Sequence, residues 1–265
     1  MPIPPEKILQ LALKSGFDAE LRAASLARKA GFSVRQSIYF NDKDEGKGRE
    51  LDLQATTVAH NYRTNPKIWC SVELSVEVKK TQEPFIFFTS VRETVERGEG
   101  YAMIRFTHNI DNSVLPVERL DALKPLSRPI RLARSYVGAK NGGQSQIFSG
   151  VISAVKAALH SQETCEEIYN DTSRDIVLFV PMMVVDGPIC EVYLDEDSGE
   201  LKASEVDEVV YVQNYMSENY GEVSSQVVVV TMDRFERILP AYAAWAASVQ
   251  DHLFQTRLDP VNDTN

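Results

Sequence analysis

From Ile68 to Lys79 apolar and polar residues alternate. Cys70, Val72, Leu74, Val76 and Val78 fall on one side, and Ser71, Glu73, Ser75, Glu77 and Lys79 on the other. A period of two is the signature of a half-buried β-strand, whose successive side chains point to opposite faces. Arg49 to Thr57 repeats the pattern, with Leu51, Leu53 and Ala55 expected on one face and Glu50, Asp52 and Gln54 on the other. Phe32 to Phe40 reads as a third strand. The polar, glycine-containing stretch from Asn41 to Gly48 reads as the hairpin that joins it to the second. Upstream, Ile8, Leu9, Leu11 and Ala12 have helical spacing. Ser15 to Asp18 resembles a capping box opening a helix from about Gly16 to Ala30, which Gly31 stops.

Beyond Pro84 a short apolar strand is expected at Phe85 to Thr89. Arg92 to Gln146 shows no clear period, and Pro116, Pro125 and Pro129 mark long connections. Ser145 to His160 predicts a helix through Ile147, Val151, Ile152, Val155 and Leu159. Strands are expected at Ile176 to Val185, Ile189 to Leu194, Val209 to Val212 and Val227 to Val230. A last helix should run from Met232 to about Phe254, with Pro240 inside it. The elements add up to an α/β or α+β sheet domain. One continuous domain is expected over residues 1–258, with a core at about 16–90 and an elaboration over 91–258, because no linker-like break in composition occurs. Residues 259–265 read as a frayed tail.

Composition narrows the function class. No apolar run approaches the roughly 18 residues that cross a bilayer, so no membrane partner is expected. Three widely spaced cysteines with no CxxC pair argue against a disulfide framework and a structural zinc site. With no secretory pattern at the start, a reducing, cytoplasmic setting is expected. The net charge of −10 speaks against a protein that coats nucleic acid, although the local field at a site matters more than the total. Phosphate loops, dinucleotide fingerprints and serine-hydrolase elbows are absent, and the four histidines have no ligand spacing.

The chemistry converges on three residues. Asp52 lies on the polar face of one strand, and Glu77 and Lys79 lie two apart on the polar face of the next. On neighbouring strands the two carboxylates would meet over the sheet. Two hard oxygen ligands that repel one another suit a Mg²⁺ or Mn²⁺ ion between them. A lysine one alternation further on can neutralise charge at a phosphate or position a water.

Asp52 followed by Glu77-Val78-Lys79 resembles the PD-(D/E)xK motif of the restriction-endonuclease-like nuclease superfamily. The order helix, strand, hairpin, strand with the acid, strand with ExK resembles that family's core over roughly Phe17 to Thr89. Leu51 stands where the family usually has its proline. The resemblance implies a restriction-endonuclease-like core, a central mixed β-sheet flanked by helices and elaborated at its C-terminal side. It implies a Mg²⁺- or Mn²⁺-dependent nuclease hydrolysing phosphodiester bonds. Asp52, Glu77 and the Val78 carbonyl would hold the metal, and Lys79 would assist the attacking water. Glu20, on a helix face whose other members are Ala23, Ala24, Ala27 and Gly31, matches a further acidic position of the family. Gln54 is a supporting candidate beside them.

Between Ala122 and Gln162 there is no carboxylate, and Arg128, Arg131, Arg134 and Lys140 form a candidate nucleic-acid-binding surface. The three arginines would share a face if the segment were helical. Asn141 to Gln144, ahead of the next helix, could offer backbone N–H groups to a phosphate. DNA is favoured over RNA as the partner on family analogy alone. A homodimer is the default assembly for a nuclease cutting two strands, and a protein partner for targeting is a further expectation. The alternatives are a catalytically inactive binding module on the same fold and a ligand-gated defence effector.

Overall fold

The computed structural model describes residues 3–60, 68–91, 104–110, 131–139, 142–168 and 174–255. They form an α+β structure with a large mixed sheet flanked by helices. The helices are α1 (Pro5–Ser15), α2 (Phe17–Lys29), α3 (Gly143–Ile168) and α4 (Met232–Gln255). The strands are β1 (Ser33–Asp42), β2 (Lys47–His60), β3 (Ile68–Lys80), β4 (Phe85–Val91), β5 (Ile104–His108), β6 (Arg131–Gly138), β7 (Arg174–Asp186), β8 (Ile189–Leu194), β9 (Leu201–Val206), β10 (Glu208–Ser217) and β11 (Gly221–Thr231).

The sheet runs β1-β2-β3-β7-β11-β10-β6-β4-β8-β9, with β5 also paired to β7. β1, β2 and β3 form an antiparallel meander, and β7 then lies parallel to β3 along its whole length, from Ile68↔Arg174 to Lys80↔Asp186. Parallel neighbours need a crossover, and α3 supplies it by lying across both strands. β7 is buried from Arg174 to Val185, as a strand covered on both faces must be. Its proline falls where the ladder can spare an N–H. Along one edge β5 pairs as far as Phe179 and β11 starts at Met182, so Pro181 sits in the gap between them.

Two cores sandwich the sheet. On one face the small residues Ala19, Ala23, Ala24 and Ala27 bring α2 close to Leu53, Ala55 and the even-numbered face of β3, and α4 closes the layer with Phe235, Tyr242 and Trp245. On the other, Ile147, Val151 and Val155 of α3 pack on Met183, Val185, Val227 and Val229.

The strands expected from alternation are present, most of them longer by one to several residues. Among the described residues three elements were not foreseen: β5, β6 and β9. β9 is exposed along its length, so it carries no apolar face to read, and it is held by its ladder to β8. The capping box does not form. Gly16, at φ 88°, is the N-cap of α2 with no side-chain cap. The Ser15 hydroxyl donates instead to the Ala12 carbonyl at 2.6 Å.

One departure shapes the site. Leu53 and Ala55 pack in the α2 layer, whereas Leu51, two residues before, packs with Phe40 and Ala157 on the α3 side. β1 changes sides at the matching place. Val34 packs and Gln36 bonds toward α2, while Ile38 and Phe40 lie toward α3. The pairing keeps one register across the change, from Gln36↔Leu53 to Ile38↔Leu51. The skipped pair is Ser37, whose φ is +49°, opposite Asp52. The expectation that Leu51, Leu53 and Ala55 share a face therefore fails, because a left-handed residue turns both strands over at Asp52.

Candidate active site

The switch places Asp52 between the two faces of the sheet. The β2–β3 ladder begins at Leu53↔Val76. Just beyond it, the Val78 N–H donates to Asp52 Oδ2 at 2.7 Å, so the side chain stands in for the missing strand partner. Glu77 and Lys79 lie on the α3 side of β3. Lys79 Nζ donates to Glu77 Oε2 at 2.6 Å, with Glu77 5% exposed. Glu20 approaches from α2, on the opposite face. Each of the four feels the charge of at least one of the others: Asp52, Glu77 and Lys79 all act on Glu20, and Asp52 acts on Glu77 and Lys79.

Three carboxyls around one lysine make a negative site that is partly shielded from water, with Glu77 buried. Burial pushes Asp52 up, and Glu50 adds to the effect against the pull of Lys79 and the Val78 N–H. Burial also pushes Glu77 up, with Asp52 reinforcing it while Lys79 works the other way. Glu20 is raised to about 7, by burial first and then by Asp52 and Glu50. Burial opposes the charge on Lys79, yet Glu77 and Asp52 outweigh it and its pKa is raised. The lysine stays an ammonium, and the carboxyls need a proton or a cation.

Among the described residues no trio of His, Cys, Asp or Glu is gathered closely enough to hold a metal by side chains alone. The site offers two carboxylates and a main-chain carbonyl, with Glu20 on the rim. The hydrogen bonds above occupy one oxygen each of Asp52 and Glu77. In charge and hardness this set suits a divalent cation that keeps several waters.

Two neighbours complete the surroundings. Gly150 of α3 lies against the site. A Cβ there would meet Met183 Sδ at 2.8 Å and Lys79 Cε at 3.1 Å, so a larger residue would have to push aside the ends of both side chains. A lone glycine within a helical pattern was the available sequence signal, since it weakens a helix unless packing requires it. Gln54, which would follow Asp52 on a regular strand face, turns away from the site. Its amide donates to Glu73 Oε1 at 2.5 Å and to Ser161 at 3.2 Å, and its carbonyl accepts Arg35 Nε at 2.8 Å. It supports a separate polar cluster beneath α3.

The helical face expected for the basic residues is not found at Arg131 and Arg134. Arg128 and Lys140 lie outside the described residues. Arg131 and Arg134 are on β6, not on a helix, so a spacing of three does not align them. Arg131 is committed to Glu191 at 2.5 Å and lies 3.8 Å over the Tyr193 ring. Arg134 is exposed at the irregularity where pairing jumps from Phe88↔Ser135 to Thr89↔Ala133. Gly142, at φ 90°, leads into α3. A cavity of about 870 Å³ lies past the ends of β7 and β11. Several of its acids are tied up, Asp186 by Arg22, Asp207 by Arg237 and Glu208 by Arg234, and none of the four site residues lines it.

Comparison of the chain with protein-family models, with curated proteins and with solved structures finds no match. No described helix is long and apolar enough to cross a membrane.

Proposed function

We propose that this chain is a divalent-metal-dependent nuclease with a restriction-endonuclease-like core and DNA as the favoured substrate. The observation that carries the reading is the meeting of Asp52, Glu77 and Lys79 where β2 turns over, with Asp52 accepting the Val78 N–H, the buried Glu77 accepting from Lys79, and partly exposed Glu20 of α2 near enough to feel the charge of all three. A surplus of desolvated carboxylate is costly unless a ligand compensates it, and a hard cation is the simplest one. The parallel pairing of β3 with β7, reached after β4, β5, β6 and α3, puts the strand carrying Glu77 and Lys79 inside the mixed sheet with α3 across it.

Asp52, Glu77 and the Val78 carbonyl would hold Mg²⁺ or Mn²⁺, with Glu20 reaching it through water. The ion would supply charge neutralisation at the phosphate and a more acidic water. Lys79, held by Glu77, orients the water that attacks phosphorus and offsets charge on the non-bridging oxygens. As the new P–O bond forms, the attacking water gives up a proton to solvent, the bond to the leaving oxygen breaks and that oxygen takes a proton from solvent.

The test is cleavage of mixed DNA and RNA substrates with Mg²⁺ or Mn²⁺ by the wild type, Asp52→Ala and Lys79→Ala. Metal-dependent cutting that both substitutions abolish, with circular dichroism unchanged, is expected. A wild type that neither cuts nor gains thermal stability with either metal would overturn the proposal.

A further inference from the structure

α3 lies over the polar side of β3 and runs against its direction. Gly150 lies against Lys79, while Ser161, farther along the helix, accepts from Gln54, which also donates to Glu73. From Gly150 to Ser161 the helix climbs roughly 16 Å, and from Lys79 back to Glu73 the strand covers roughly 20 Å, so the two elements keep step. Ser153 is one turn past Gly150 and buried on the same side of α3. It therefore falls over Glu77, the residue of β3 that precedes Lys79 on that face.

The Ser153 side chain is spent on nothing else. The residue is 3% exposed, and among the described residues its hydroxyl has no hydrogen-bond partner. Hydroxyls inside helices commonly satisfy themselves on a carbonyl one turn earlier. Ser149 does so on Gln146 at 3.1 Å, Thr164 on His160 at 2.9 Å and Ser248 on Ala244 at 3.0 Å. Ser153 does not. A buried hydroxyl left unpaired costs about 1–3 kcal/mol, and alanine would suit the helix better without that cost. The hydroxyl does act on Glu77, favouring its charged form against burial.

We propose that Ser153 is a positioning residue of the candidate metal centre, whose hydroxyl donates to the Glu77 carboxylate and holds it in place as a ligand for the divalent cation. The inference rests on the metal-dependent reading of the site. Lys79 secures only one oxygen of Glu77, and it does so from a flexible side chain. A second donor, fixed to a helix, keeps the carboxylate from swinging, which is how groups behind a metal ligand set its affinity. A hydrogen bond to a charged acceptor is strengthened in a buried setting such as that of Glu77. Gly150 thus leaves room for Lys79 beneath α3, and Ser153 brings a donor to Glu77 from the same helix.

The measurement is the Mn²⁺ affinity of the full chain, read from the free-ion signal in electron paramagnetic resonance, for wild type, Ser153→Ala and Ser149→Ala. Thermal unfolding in chelator accompanies it. Ser153→Ala is expected to bind Mn²⁺ about tenfold more weakly, the effect of losing a partner behind a metal ligand, with a metal-free Tm equal to or above that of wild type. Ser149→Ala, which loses only a bond to its own helix, should match wild type in affinity. A Ser153→Ala affinity within about twofold of wild type would overturn the inference. So would a weaker affinity accompanied by a lower metal-free Tm, which would mark the hydroxyl as structural. A wild type that binds no Mn²⁺ would overturn it together with the metal-dependent reading. Binding that weakens in Ser153→Ala, in a chain whose wild type cuts no nucleic acid, would support the inference and remove only the nuclease assignment.

Discussion

Removing the charge of Glu20 should stabilise the metal-free protein at alkaline pH and leave it almost unchanged at pH 5. A carboxyl that titrates at 4.5 when unfolded and at about 7 when folded binds its proton more tightly in the native state. Between those values the folded chain holds a proton that the unfolded chain has released, so this group's contribution to stability falls as pH rises from about 4.5 to 7. The full displacement would correspond to about 3 kcal/mol. Glu20 is only partly buried, and solvent screening reduces the figure to about 1–2 kcal/mol. Glu20→Gln keeps the volume and removes the charge. In chelator it should raise the Tm by about 3–6 °C at pH 8 for a chain of this size, and by little at pH 5. Thermal unfolding at both pH values, followed by circular dichroism, is the assay. Equal shifts at the two pH values, or a loss at pH 8, would refute the view that burial, and then Asp52 and Glu50, oppose the charge on Glu20.

A cation should relieve the same repulsion. Mg²⁺ or Mn²⁺ at about a hundred times its dissociation constant should stabilise the wild type by about 2.7 kcal/mol in a thermal-shift titration, and Asp52→Asn should abolish most of that gain. Gly150→Ala should lower cleavage more than tenfold with a Tm loss of only a few degrees, because the new methyl presses on Lys79 and on the flexible end of Met183. Equal fractional losses of activity and folded protein would count against that account. Lys156→Ala should cost about 2–3 kcal/mol in chemical denaturation. It takes from the fully buried Asp42 its partner at 2.8 Å, leaving Arg49 at 3.1 Å and the Asp44 N–H to hold that charge, and it also releases Asp44. Arg131→Ala should leave the salt dependence of nucleic-acid binding unchanged, since Arg131 is spent on Glu191 and Tyr193.

Local pattern was enough for most of the elements. The clean alternation of β3, the helical spacing in α2, α3 and α4, and the glycine after α2 are consequences of covalent geometry and burial on one face, and both are written along the chain. The shared side of Glu77 and Lys79 was legible for the same reason, because period two fixes which residues of one strand share a side. Other features depend on what a segment meets. β9 is exposed and has no period, so only its partner β8 makes it a strand. The arginines at 131 and 134 fit a helix or a strand equally well until β4 and β10 pair with their segment. The turnover of β1 and β2 at Ser37 and Asp52 is not written in either strand. It arises where α2 draws Leu53 to one side and α3 draws Leu51 to the other, with the backbone twisting between two cores. That tertiary compromise brings Asp52 to the Val78 N–H and puts its charge near Glu20 and Glu77. The sequence determined which side chains could do chemistry, because their identity and spacing are local; the packing of two layers decided where they meet, because that depends on surfaces far apart in the chain.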